Sequence, residues 1–258
     1  MKLIINIIAI VLLFTCFSFS QNTIFTNKVA YKQTLNLGDG DWDIFYELLF
    51  NNSISLYLQN YGYKAREVTV TPDGSTHILE LATEETANYY FSYLNSSKIL
   101  FGEAIAYDYY HFEENVPEIK WKLIDEIKKI GKFNCKKAKG TFRGRNYTAW
   151  YTEEIPINAG PWKLRGLSGL ILQVWDDEGV YKAEAVNISL GKETNLEDKV
   201  GKIVFKNKRL SIDQYKKKKQ SEQVETLNYI NARLKEGEPL FSMKDQNKRK
   251  FIEIFKSK

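Results

Sequence analysis

The chain has 258 residues, 43% of them hydrophobic and 14% aromatic, enough to bury a sizeable core in one large domain or two small ones. Two cysteines exclude a disulfide-stapled scaffold, so stability has to come from that core. The formal net charge of +5 is unevenly spread: residues 201–258 carry 16 Lys and Arg against 7 Asp and Glu, while residues 21–200 carry 20 against 25.

A mildly acidic body with a basic tail can mean contact with nucleic acid or an anionic surface; for an exported chain the expected partners are anionic lipid head groups or acidic protein surfaces rather than nucleic acid, and a merely solvated helix face is expected ahead of either. At the N-terminus, Lys2, an apolar run from Leu3 to Phe14, and Ser18 and Ser20 ahead of Gln21 read as an export signal over residues 1–20. The mature chain is expected to begin at Gln21. A membrane anchor is the alternative, but the apolar run is short for a spanning helix of about 20 residues and no basic stop-transfer cluster follows. Lipidation at Cys16 is a third reading, opposed by Thr15, which is larger than the small residue usual before a lipidated cysteine. Once Cys16 leaves with the signal, Cys135 stands alone.

The aromatic content is dominated by Tyr and Phe, which favours pleated, half-buried structure over a helical bundle. Residues 45–50 and 54–58 are expected to pair as a hairpin through Asn51 and Asn52, with Ile54, Leu56 and Leu58 on one face and Ser53, Ser55 and Tyr57 on the other. Phe91 and Tyr93 repeat the alternation. Residues 119–130 are ambiguous: Ile119, Trp121 and Leu123 alternate, whereas Ile124, Ile127 and Ile130 recur at a helical spacing; strand is preferred. Tyr147, Ala149 and Tyr151 alternate with Thr148, Trp150 and Thr152. Leu170, Leu172 and Val174 form one face of a further strand, which turns at Asp176-Asp177-Glu178-Gly179 and returns along residues 180–189.

The tail differs in kind. Ser211 with Gln214 three residues on is a capping box, Val224, Leu227, Ile230 and Leu234 keep one apolar stripe, and Gly237 with Pro239 ends the segment. This predicts an amphipathic helix over about 212–235 whose stripe packs on the sheet. Lys216 to Lys219 need nothing beyond solvent, and they are the natural residues for a peripheral membrane contact.

Templates for chemistry find little. Ser168 follows Gly166-Leu167, but the second glycine falls at 169 where a nucleophile elbow needs it at 170, and a strand rather than a helix follows. The only histidines, His77 and His111, are isolated from one another and from Cys135, so no metal-ligand pair is formed. Asp39, Asp41 and Asp43 start like a calcium loop, but Ile44 and Phe50 stand where glycine and glutamate belong. Glycines 140, 144 and 160 are too far apart for a phosphate-binding loop. No catalytic residue, metal ligand or cofactor is assigned.

Residues 160–174, GPWKLRGLSGLILQV, carry a resemblance. They resemble the signature of the GLPGLI family, exported proteins of Gram-negative Bacteroidota named for a Gly-Leu-Pro-Gly-Leu-Ile core. Gly166-Leu167-Ser168-Gly169-Leu170-Ile171 matches that core except at Ser168, where the family has proline. Upstream, Cys135, Lys137, Ala138, Gly144, Arg145, Tyr147, Trp150, Ile155, Pro156, Gly160 and Pro161 match the family's run, so the resemblance covers roughly residues 130–175. It implies an address rather than a reaction, and Cys135, Gly144, Arg145, Trp150, Pro156, Gly160, Pro161 and Leu170 read as motif residues with architectural roles.

The expected architecture is β-rich α+β: a strongly curved antiparallel sheet over residues 21–206, covered by a basic C-terminal helical extension over residues 207–258. The expected function is a non-enzymatic binding or accessory protein of the periplasm or outer membrane, acting with outer-membrane machinery. Its expected contact is the loop of Trp162, Lys163, Arg165, Gly166 and Gly169, because an aromatic, two cations and permissive glycines are features of recognition surfaces. The alternatives are a carrier holding a lipid or apolar peptide in a cavity of the curved sheet, and a hydrolase using carboxylate or serine chemistry.

Overall fold

Asn51 sets the first hairpin, because its side-chain carbonyl accepts from the backbone N–H groups of Ser53 at 2.8 Å and Ile54 at 3.0 Å and so closes the turn itself. The computed structural model describes residues 24–38, 40–60, 69–70, 76–77, 87–106, 108–195, 204–205, 208–232 and 252–255. The export signal with Cys16, Asp39, Leu234 and the helix stop at Gly237 and Pro239 lie outside them, as do the side chains of His77, Leu227 and Ile230.

Within the described residues the strands are β1 (Ile24–Asn36), β2 (Asp41–Phe50), β3 (Ile54–Gln59), β4 (Thr69–Val70), β5 (Thr76–His77), β6 (Tyr89–Tyr93), β7 (Lys98–Ile105), β8 (Asp108–Asn115), β9 (Lys122–Ile130), β10 (Phe133–Phe142), β11 (Arg145–Thr152), β12 (Leu170–Asp176), β13 (Tyr181–Asn195) and β14 (Leu210–Ser211). Twelve of them form one open sheet in the order β14-β8-β7-β6-β3-β2-β1-β13-β12-β11-β10-β9, antiparallel throughout except for the parallel pair β14 and β8; β4 and β5 make a separate ribbon.

The sheet is strongly curved, and one contact proves it. Nine strand spacings of about 4.8 Å would separate β8 from β10 by about 43 Å in a flat sheet. Yet Arg143, in the turn after β10, forms an ion pair with Glu114 on β8. The concave side therefore closes around a single aromatic-rich core that takes side chains from β1 to β3, β6 to β8 and β10 to β13. The other face of β1, β2, β3, β6 and β7 holds a second core of Phe25, Leu49, Ile54, Leu56, Leu58, Phe91 and Leu100. Alternation along β3 thus separates two buried faces rather than a buried face from a wet one: Tyr57 stacks on Tyr46 with ring centroids 4.4 Å apart, on the side opposite Leu56.

The ambiguous segment is β9, a strand at the free edge of the sheet, where Leu123 and Ile127 are exposed. Asp41 and Asp43 lie on β2, where Asp43 pairs with Lys32 at 2.8 Å and accepts from Thr34 at 2.7 Å. The turn between β12 and β13 forms at residues 176–180 as the sequence predicts, with Asp176 accepting from the backbone of Val180 and Tyr181.

The helix α1 (Ile212–Asn231) starts at the predicted box: the Ser211 N–H donates to Gln214 Oε1 at 2.9 Å and the Gln214 N–H to Ser211 Oγ at 3.3 Å. Of the expected stripe only the Val224 side chain is described, and it is exposed. Tyr215 is buried instead, its ring 5.2 Å from Phe101 and 5.0 Å from Phe112, and it seats the first turns of α1 over β7 and β8. The tyrosine was hidden from periodicity by the lysines that follow it. Among those, Lys216 pairs with Asp213, Lys218 lies over Tyr110 and Lys219 pairs with Glu222.

Candidate functional site

The segment between β11 and β12, residues 153–169, crosses the concave side and fills it. Two glycines permit the close passages. A Cβ on Gly169 would lie 2.0 Å from the Thr152 carbonyl oxygen, and one on Gly160 would lie 2.7 Å from that of Leu164. Between them Pro161 and Leu164 close a turn, with the Leu164 N–H donating to the Pro161 carbonyl at 3.2 Å. Trp162 occupies the second place of this turn at φ 57°, a conformation costly for a bulky side chain. Packing holds it there, with Phe142 and Tyr181 each 5.6 Å from its ring centroid.

That turn drives Lys163 inward, where its side chain is wholly buried. Its Nζ lies 2.7 Å from Glu114 Oε1, paired by distance although not aligned as a hydrogen bond, and 3.2 Å from both carboxylate oxygens of Glu253. It also lies 3.9 Å above the Phe101 ring centroid. Arg143 pairs with the same two carboxylates from the other side. Arg143 and Gly144, at φ 48° and 77°, form the two-residue turn between β10 and β11, so a second strained non-glycine residue faces the cluster.

Burial opposes charge on Lys163, but Glu253, Glu114 and Glu103 together outweigh it and hold the ammonium pKa above its ordinary value. Glu103, on β7, accepts from the Tyr90 hydroxyl at 2.6 Å and the Tyr215 hydroxyl at 3.1 Å. Burial raises its pKa, against the pull of Lys163 and Lys219. Two cations, two carboxylates and a fifth group with a raised pKa therefore meet inside the sheet. A void of about 10 Å³, room for roughly one water, lies between this turn and the side chains of Tyr57, Tyr90 and Ser92. The hollow that a carrier would use is occupied here by the chain's own crossing segment.

Of the residues expected to form the contact loop, Trp162 and Lys163 point into the core, Gly169 is buried, Arg165 is half-buried and donates to the Leu94 carbonyl at 3.0 Å, and Gly166 reaches the surface. Ser168 is exposed, and its hydroxyl donates to Glu153 at 2.7 Å. Trp121 Nε1 donates to the Arg165 carbonyl at 2.8 Å and pins the loop.

The motif residues lie around the same segment. Arg145 is buried between Asp176 at 3.2 Å and Glu178 at 2.8 Å and thereby ties β11 to the β12–β13 turn. Trp150 lies 4.3 Å beneath the Lys128 ammonium. Leu170 and Pro161 are buried and Pro156 is exposed. The Cys135 thiol is buried and its pKa is pushed up to about 11, which makes it unreactive. Sequence reasoning missed Glu103, Glu114, Arg143 and Glu253. Two of them carried a signal: Glu103 stands in the apolar register of Phe101 and Ile105, and Glu114 in that of Phe112 and Val116. Among the described residues no group of three or more His, Cys, Asp or Glu is placed to hold a metal, and no helix is long and apolar enough to cross a membrane.

Residues 79–230, more than half of the chain, match the family described as N-glycanase peptide, N-terminal domain. The chain belongs to that family. No curated protein matches it. Two solved structures of PNGF-II share its fold, at TM-scores of 0.52 and 0.53 with 14% and 15% identity over 76% and 77% of this chain. This chain spans about a third of PNGF-II, 33% and 34% in the two structures. A LolA superfamily protein from Nitrosomonas europaea aligns over 70% of this chain and 90% of its own, with 10% identity and a TM-score of 0.27, too loosely to support an argument.

Proposed function

We propose that this chain is a non-enzymatic binding or accessory protein exported to the periplasm or the periplasmic face of the outer membrane, acting beside outer-membrane machinery. The observation that carries the reading is where the likeness falls: the family match is to an N-terminal domain, and the shared fold spans only about a third of PNGF-II. The arrangement of polar groups supports it. The buried carboxylates and cations are paired with one another beneath a filled surface, and Ser168 is bonded to an exposed carboxylate, Glu153, that Lys136 also holds and whose pKa those two bonds lower, which makes it a weak base. The likeness of residues 130–175 to the GLPGLI family supports an envelope address.

In this reading Trp162 and Lys163 act from below, fixing the shape of the loop, and the surface offered to a partner is Arg165, Gly166 and Ser168. In-cell photocrosslinking from position 168, with position 178 as control, tests it. One discrete protein adduct from 168 and none from 178 is the expected result. Turnover of an N-glycopeptide, ester or peptide substrate by the pure protein, abolished in Ser168→Ala or Glu153→Gln, would overturn it.

A further inference from the structure

Residues 252–255 are held against the body of the chain by four separate kinds of contact. The Ile254 N–H donates to the Arg143 carbonyl at 2.8 Å, a strand-like backbone bond. Glu253 places its carboxylate between Lys163 and Arg143, both at 3.2 Å. Ile254 presses on Gly144 so closely that a Cβ there would lie 2.7 Å from the isoleucine Cβ. Phe255 is covered by the Tyr215 ring, with centroids 6.2 Å apart, and by the Arg143 guanidinium 4.9 Å above it. Arg143 takes part in three of these contacts, through its carbonyl with the backbone and its guanidinium with Glu253 and Phe255, and Gly144 makes the aliphatic one.

The groups that line the seat belong to elements outside this segment: Lys163 to the crossing turn, Arg143 to the β10–β11 turn and Tyr215 to α1. Without Glu253 the seat would hold two cations, Lys163 and Arg143, with one of their two partner carboxylates, Glu114, left. An empty seat therefore leaves those cations one carboxylate short, with an apolar notch at Gly144 and an aromatic wall at Tyr215.

We propose that this seat is a peptide-binding site for an extended segment of the pattern aliphatic-Glu-aliphatic-aromatic, closed in cis by Ile252-Glu253-Ile254-Phe255. Backbone pairing supplies orientation, the buried Lys163 and Arg143 select a carboxylate, and Gly144 selects a branched aliphatic next to it. The tethered segment competes at high effective concentration, so a ligand of the same pattern enters when the cis segment is weakened.

The test uses the full chain and a fluorescein-labelled peptide of residues 250–258, titrated by anisotropy into the parent chain and into Glu253→Lys, which sets a third cation in the seat and ejects the tail. Binding at least ten-fold tighter to Glu253→Lys than to the parent, and lost with a peptide carrying Gln in place of its Glu, is the expected result. Equal binding to both chains, or equal binding of the Glu and Gln peptides, overturns the proposal. If circular dichroism finds Glu253→Lys unfolded, the Ile254→Ala/Phe255→Ala double variant takes its place. If both variants are unfolded, refolding on addition of the Glu peptide but not the Gln peptide supports the site, and no rescue refutes it. Failure here leaves the crosslinking result at position 168 untouched.

Discussion

Gly169 sits where an added methyl group would land 2.0 Å from the Thr152 carbonyl oxygen, and because that oxygen belongs to the backbone it cannot swing aside. Gly169→Ala is therefore expected to cost about 3 kcal/mol, through displacement of the β11–β12 crossing, and urea denaturation measures it. Glu103 makes a different demand at the same scale. Burial raises its pKa, so its folded form holds the proton more tightly than the unfolded chain does; the stability it contributes is full below about pH 4.5 and is lost as pH rises through its raised folded value. His111 runs the other way. Burial first, then Arg209, lowers its pKa to about 4 from 6.5, so its contribution is full above about pH 6.5 and is lost as pH falls toward 4. Glu103→Gln is expected to flatten the part of the melting-temperature profile that falls as pH rises above about 4.5, while leaving the His111 fall toward acid pH intact. A variant that keeps the slope above about pH 4.5 would assign that slope to another group.

Among the elements, α1 depends on its first turn. The reciprocal bonds between Ser211 and Gln214 satisfy two N–H groups that the helix cannot, and Ser211→Ala should lower stability by about 1 kcal/mol, measured as a drop in melting temperature. That start was legible because a cap is local chemistry written in adjacent residues. The hairpin at Asn51 and the turn at Asp176 were legible for the same reason. The helix's anchor was not, because Tyr215 is buried by Phe101 and Phe112, residues about a hundred positions away that only the folded sheet brings to it. The turn through Arg143 and Gly144 was written in the sequence as an Arg-Gly pair between alternating runs, but nothing local gave Arg143 a partner. Trp162 and Lys163 were expected in a contact loop, yet their direction was not readable: a tryptophan and a lysine flanked by glycine and proline look alike whether they face solvent or a hollow. A left-handed φ at Trp162 decides it, and that φ is set by the packing of Phe142 and Tyr181.

For the whole molecule, an open twelve-stranded sheet has a concave side too large to be closed by the strands themselves, and the chain solves this by sending its own β11–β12 segment across it. The crossing is clamped by charges, since Lys163 and Arg143 from one half meet Glu114 of β8 on the other, and Glu253 lies between the two cations. Lys163→Met removes a partner from buried carboxylates and should cost about 3–5 kcal/mol. Lys217→Met, on the exposed face of α1, should stay within about 0.5 kcal/mol. The central claim is that the motif segment is the filling of the sheet and that Lys163 lies inside. Acetylation of the folded chain with an amine-reactive ester, read by peptide mass spectrometry over time, tests it most directly. Lys163 is expected to remain unmodified while the exposed Lys132 and Lys217 react to completion. Modification of Lys163 at the rate of those two lysines, in a chain that is still folded, would contradict the account.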